Sequence, residues 1–157
     1  EVNMRTRVAS FSHAAICSRD LERSLAFYRD ALGFRVVFDQ VQDTTRGGLP
    51  HVYKTRHARR RTVHLAWGDA DEPFLVITTH PGDPPDGEPI KLDQVGINHL
   101  AFAVDDLEAF TLGMLAKGAK TSGPPDAFKN AKTGNVTSVF FFDPDGILVQ
   151  FDQAKKT

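Results

Sequence analysis

An internal repeat sets the architecture of this chain. At an offset of 86 residues, Phe11-Ser12-His13-Ala14-Ala15 falls on Ile97-Asn98-His99-Leu100-Ala101, and Asp20-Leu21-Glu22 falls on Asp106-Leu107-Glu108. A repeated supersecondary unit builds its core from equivalent faces, so the repeat fixes the fold before any single element is assigned. Each half opens with an apolar strand carrying one histidine, followed seven residues later by an acidic helix start.

In the first half a strand over about Phe11 to Cys17 precedes a helix with Leu21, Leu25, Tyr28 and Leu32 at helical spacing, stopped by Gly33. In the second, Asp105 with Glu108 three residues on resembles a capping box, and Leu107, Phe110 and Met114 form the predicted buried stripe. Strands are predicted at Phe34 to Gln40, Thr62 to Trp67, Phe74 to Thr79, Val136 to Phe142 and Ile147 to Phe151. A weaker one lies around Thr121 to Lys129. Asp143-Pro144-Asp145-Gly146 is a strong turn signal. The reading is α+β: one domain over 1–157, with a βαβββ module at about 9–80, a Pro/Gly-rich linker at 81–95 and a second βαβββ module at about 96–153. Together they form paired curved mixed sheets around a cleft.

Charge and cysteine content remove several classes of function. Nineteen Lys+Arg against twenty Asp+Glu give a net charge of −1, with no general pull toward nucleic acid or an anionic membrane. A single cysteine, Cys17, excludes an internal disulfide and any multi-cysteine metal site, and fits a reducing cytoplasm. No apolar run approaches the ~20 residues of a membrane span. Positive charge is concentrated locally: Thr44 to Gly68 holds Arg46, Lys54, Arg56, Arg59, Arg60 and Arg61 and no acid. Read as a flap between strands, that segment attracts an anionic substrate, with Arg56 a candidate contact; read blandly, it is a solvated hairpin tip.

Side chains alternate across a strand, so His13 shares a face with Ala15 and Cys17, and His99 with Ala101 and Ala103. A face of histidine and small residues leaves room for a ligand. A pseudo-twofold axis would bring both imidazoles to a shared cleft. His64 lies on a strand facing either the cleft or the other side, and is a candidate acid–base residue. His51, His57 and His80 fall in loop-like stretches and are expected to be solvated. Phe140 is a candidate aromatic contact, since the twelve Phe are a large supply and one or two facing the cleft favour an apolar substrate.

Ser12-His13-Ala14-Ala15-Ile16, the run Asp20 to Phe34, Gly96-Ile97-Asn98-His99-Leu100-Ala101-Phe102, and Phe142-Asp143-Pro144-Asp145-Gly146 through Phe151 closely resemble the vicinal oxygen chelate superfamily. That group includes glyoxalase I, extradiol dioxygenases, fosfomycin-resistance enzymes and metal-free bleomycin-binding proteins. The resemblance implies metal ligands on the first and last strands of each module. By position these are His13, His99 and Gln150, the last standing where the family usually has glutamate. The matching place in the first module falls at about Val76, or Thr78 if the register slips by two, and neither is a good ligand. The implied set resembles a two-His-one-carboxylate facial triad with an amide in place of the carboxylate, holding Fe2+ by preference, or Mn2+, Ni2+ or Zn2+. It implies a small metal-dependent enzyme, dioxygenase-like or an isomerase or lyase, working on a small substrate as a cytoplasmic homodimer. The alternative is a metal-free small-molecule binding or resistance protein.

Overall fold

The computed structural model describes residues 7–155. It is an α+β fold with two four-stranded mixed sheets, neither closed, and a strand–helix–three-strand order that occurs twice. The first sheet contains β1 (Ala14–Cys17), β2 (Arg35–Asp43), β3 (Arg59–Ala66) and β4 (Pro73–Thr79), ordered β1-β4-β3-β2. The second contains β5 (His99–Val104), β6 (Lys120–Thr121), β7 (Ser138–Phe142) and β8 (Leu148–Gln153), ordered β5-β8-β7-β6. In each, the first strand runs parallel to the last and the other pairs are antiparallel. The helices are α1 (Leu21–Leu25), which continues as a π-helical turn over Ala26–Ala31, and α2 (Leu107–Ala116). Among the described residues no helix is long and apolar enough to cross a membrane.

Two compact units divide the chain. One takes the described residues through Leu21 together with Phe34–Pro85; the other takes Glu22–Gly33 and the described residues from Asp86. In the first unit, alternation puts Val63, Leu65, Leu75 and Ile77 on one fully buried sheet face. Each such side chain contributes roughly 1.5–3 kcal/mol by leaving water. At the exposed edge strand, Arg61 grips Asp39 through two hydrogen bonds of 2.9 and 2.7 Å and holds that carboxyl below its ordinary range.

In the second unit, Val139, Phe141, Val149 and Phe151 form the buried face, and Phe110 of α2 packs on it with ring centroids 4.5 Å from Phe151. The residues after Leu21 belong here because Tyr28, fully buried, donates its hydroxyl to Asp143 Oδ2 at 2.9 Å. Asp143 Oδ1 accepts the backbone N–H groups of Asp145 and Ile147 at 2.9 and 2.8 Å, so one carboxylate ties the helix to the β7–β8 turn. Gly146, at φ 91°, supplies the left-handed residue that turn requires. Burial raises the Asp143 carboxyl above its ordinary range, and burial with the adjacent carboxylate raises Tyr28 well above its own.

Several local expectations need correction. β1 begins at Ala14, so His13 stands just before the strand rather than within it. The first helix widens into a π turn, closed by Leu32 N–H donating to Phe27 O at 3.0 Å, which buries both Phe27 and Tyr28. The N-cap of α2 is Asp106, one residue later than expected; its carboxylate accepts from Ala109 N–H at 3.0 Å. Thr111 rather than Phe110 is buried with Leu107 and Met114. The weak strand is only β6, followed by a 3-10 turn over Pro125–Phe128.

Candidate functional site

Register settles which side chains share a face in the first unit. Ala15 lies opposite Val76, Val76 opposite His64, and His64 opposite Phe38, forming one row across β1, β4, β3 and β2. His64 therefore faces away from the buried Val63–Ile77 side, which parity alone had left open. The Phe38 ring lies 4.7 Å from the His64 ring. His13 precedes Ala15 by two residues and is near enough for its charge to act on His64. Burial, then the charges of His13 and Arg60, push the His64 imidazolium down from its ordinary range, so the ring is neutral at pH 7. Val76, buried between Ala15 and His64, gives this row no carboxylate.

In the second unit Ala101 lies opposite Gln150 and Gln150 opposite Phe140, while His99 precedes Ala101 by two residues. His99, Gln150 and Phe140 thus share the face opposite the Phe141–Phe151 core, with the His99 and Phe140 rings 5.7 Å apart. Each of the three side chains implied as metal ligands has one polar atom held by a near neighbour in sequence. His13 Nδ1 meets Ser12 Oγ at 2.9 Å, His99 Nδ1 meets Asn98 Oδ1 at 2.5 Å, and Gln150 Nε2 donates to Asp152 Oδ1 at 2.8 Å. Because a carboxylate only accepts, Asp152 fixes which way the Gln150 amide points. The remaining atoms, two Nε2 and one Oε1, have no hydrogen-bond partner among the described residues.

The structure groups His13 with His64 in one unit, and His99 with Gln150 and Phe140 in the other. Arg56 is not part of the row in its own unit: with Thr44, Thr45, Pro50 and His57 it lines a cavity of about 150 Å³ on the connection between β2 and β3. Phe38 and Asp152 are not singled out by the sequence, and Arg60 appears there only as one cation of the basic segment. Phe38, and the place of Arg60 near His64, become visible only when the β2–β3 register is known, whereas Asp152 carries a period-two signal from Gln150. Two loop histidines also depart from expectation. His80 is only 6% exposed and its ring stacks on His57 at 3.9 Å, with Tyr53 set edge-on to both. His57 Nδ1 pairs with Asp83 and His80 Nδ1 meets Arg59 O at 3.2 Å, so the loop packs an aromatic cluster instead of solvating these rings. Burial is the first cause that lowers the basicity of His80.

A sequence profile of the Glyoxalase/Bleomycin resistance protein/Dioxygenase superfamily matches residues 10–151. The Bacillus subtilis protein YwkD is 30% identical over 141 residues, covering 90% of this chain and 94% of its own. Among solved structures, a glyoxalase family protein from Enterococcus faecalis superposes with a TM-score of 0.64 at 23% identity, covering 92% of this chain and 98% of that one. The trypanothione-dependent glyoxalase I of Leishmania major superposes with a TM-score of 0.61 at 21% identity, covering 93% and 87%. Profile and duplicated topology agree, and the chain belongs to the glyoxalase/bleomycin resistance/dioxygenase superfamily.

Proposed function

We propose that this protein is a small metal-dependent enzyme acting on a substrate with vicinal oxygens, with His13, His99 and Gln150 as ligands and His64 as acid–base residue. The observation that carries the reading is the state of the three side chains: each has its second polar atom engaged by Ser12, Asn98 or Asp152, leaving a lone pair on His99 Nε2, on Gln150 Oε1 and, when His13 Nδ1 donates to Ser12, on His13 Nε2. Metal-binding imidazoles characteristically have their other ring nitrogen held in this way. Among the described residues no three His, Cys, Asp or Glu side chains form a metal cluster; a set of two imidazoles and an amide lies outside that group. Such a set fits a divalent ion but is neutral, so it binds more weakly than one with a carboxylate and leaves the full charge on the ion.

A bound ion, Fe2+ by preference, with Mn2+, Ni2+ or Zn2+ as options, would supply Lewis acidity to adjacent substrate oxygens. His64, neutral at pH 7, is able to accept a proton from a substrate carbon or hydroxyl. Phe38 beside His64 and Phe140 beside His99 offer aromatic surface to an apolar substrate body. Arg60, with Arg56 on the loop, provides attraction for an anionic group. The same reading has the chain working as a homodimer in the reducing cytoplasm that its single cysteine suits. Val76, where a fourth ligand would stand, favours a second reading as a metal-free binding protein.

Metal analysis of untagged protein, followed by anaerobic titration with Fe2+, Mn2+, Ni2+ and Zn2+, separates the two. About one equivalent, lost in His13→Ala and in His99→Ala, supports the enzyme and directs screening toward catechols and oxo-acids. No binding of any ion, or equal binding in both variants, overturns the ligand assignment.

A further inference from the structure

A cleft lies in the unit containing Asp86–Lys155, on the α2 side of the sheet and away from His99 and Gln150. It encloses about 580 Å³ between α2, the β7 strand and the segment from Asp126 to Thr137. That is the size of a small-molecule pocket. Its apolar lining comes from Leu112 and Leu115 of α2, both exposed, together with Val136 and Val139. Thr111, another lining residue, is 94% buried, and its hydroxyl has no hydrogen-bond partner among the described residues, not even the carbonyl one helical turn back. A buried hydroxyl left unpaired is costly and usually signals a missing partner.

The charged residues on the rim are Asp106, Glu108, Asp126 and Lys129, three carboxylates against one ammonium. Asp106 is committed to capping α2, but its charge remains. From the apolar walls, the orphaned hydroxyl and the acidic rim, we infer that this cleft binds an amphipathic amine, with its carbon body between the leucines and valines and its ammonium toward Glu108 and Asp126. The Thr111 hydroxyl serves as its unpaired neutral hydrogen-bonding group, reached by rotation about the Cα–Cβ bond. The site is independent of the proposed metal ligands.

Three probes with a similar carbon body test this: 2-phenylethylamine, 2-phenylethanol and 3-phenylpropanoate, titrated into the full chain and followed by amide shifts. The expected result is saturable shifts in 107–115 and 135–139, with the amine bound tightest and the carboxylate weakest. Thr111→Val preserves side-chain shape and should weaken the amine about fivefold. It should also raise the urea midpoint of the unliganded protein, because it removes an unpaired polar atom. Glu108→Gln with Asp126→Asn should abolish the preference for amine over alcohol. Equal binding of all three probes, no shifts in these segments, or unchanged amine affinity in Thr111→Val would overturn the proposal. Shifts in the same amides that depend on protein concentration without probe would also overturn it, marking the cleft as a contact between copies.

Discussion

Tyr28→Phe is the sharpest probe of what holds the second unit together. The substitution removes one oxygen and leaves Asp143 Oδ2 without its 2.9 Å donor, while Asp143 itself is only 4% exposed. A hydrogen bond to a charged group is worth about 1.5–3 kcal/mol, and leaving a buried acceptor unpaired places the loss toward the upper part of that range. In a domain of this size about 2 kcal/mol lowers Tm by roughly 4–8 °C. The loss also depends on pH. Burial already sets the folded Asp143 carboxyl above its unfolded value, and the Tyr28 hydroxyl partly lowers it. Without that hydroxyl the carboxyl rises further, so the deficit is complete above the variant's folded pKa and shrinks as pH falls through it and the group is neutralised. Urea denaturation of wild type and Tyr28→Phe at pH 7.5 and pH 4.5 measures both effects. In an Asp143→Asn background no charge remains, and Tyr28→Phe should cost less than half as much. A loss below about 0.5 kcal/mol at pH 7.5, or an equal loss with and without the Asp143 charge, refutes the assignment of this bond as the tether.

Gln150→Glu should tighten divalent metal binding at least tenfold by adding a negative charge to the ligand set, read by competition with a chelating dye. Asp152→Ala releases the amide of Gln150 and should weaken metal binding while the urea midpoint moves little; unchanged affinity would remove Asp152 from the ligand-orienting role. Asp106→Ala removes the N-cap of α2 and should cost about 1 kcal/mol in urea denaturation. Because the folded state lowers the basicity of His80, the stability this group contributes is present above the unfolded His value and lost as pH falls through the folded one. His80→Phe keeps an aromatic ring against His57 and should flatten the decline in stability below about pH 6.5; a decline as steep as in wild type would exclude His80 as its source.

The repeat that aligns His13 with His99 was enough to read two modules and both four-stranded sheets, because strand–helix periodicity is local. The Asp143–Gly146 turn was legible for the same reason, but its grip on Tyr28 was not, since a contact spanning 115 residues leaves no short-range pattern. Gln150 and His99 share a face as alternation predicts. The orientation of His64 required the β3–β4 register, which places it beside Val76. Phe38 stayed hidden because a register irregularity between Val36 and Phe38 breaks simple alternation in β2. The stacked pair of His57 and His80 was read as solvated because loop composition says nothing about a Tyr53 ring closing over both.

The division of the chain at Leu21 has a consequence for its synthesis. Residues Glu22–Gly33 cluster with a sheet whose final strand begins at Leu148, so they are made long before most of their partners exist. At roughly 5–20 residues per second, the 115 residues between Tyr28 and Asp143 correspond to about 6–23 s on the ribosome. During that interval Phe27 and Tyr28, both buried in the finished unit, are exposed on an unpartnered helical segment, a surface for chaperones or misassociation. The β1–β4 sheet, by contrast, is complete once Thr79 emerges. The duplicated halves therefore mature in an order that their sequence symmetry does not share: the first sheet closes early, and the first helix waits for the second.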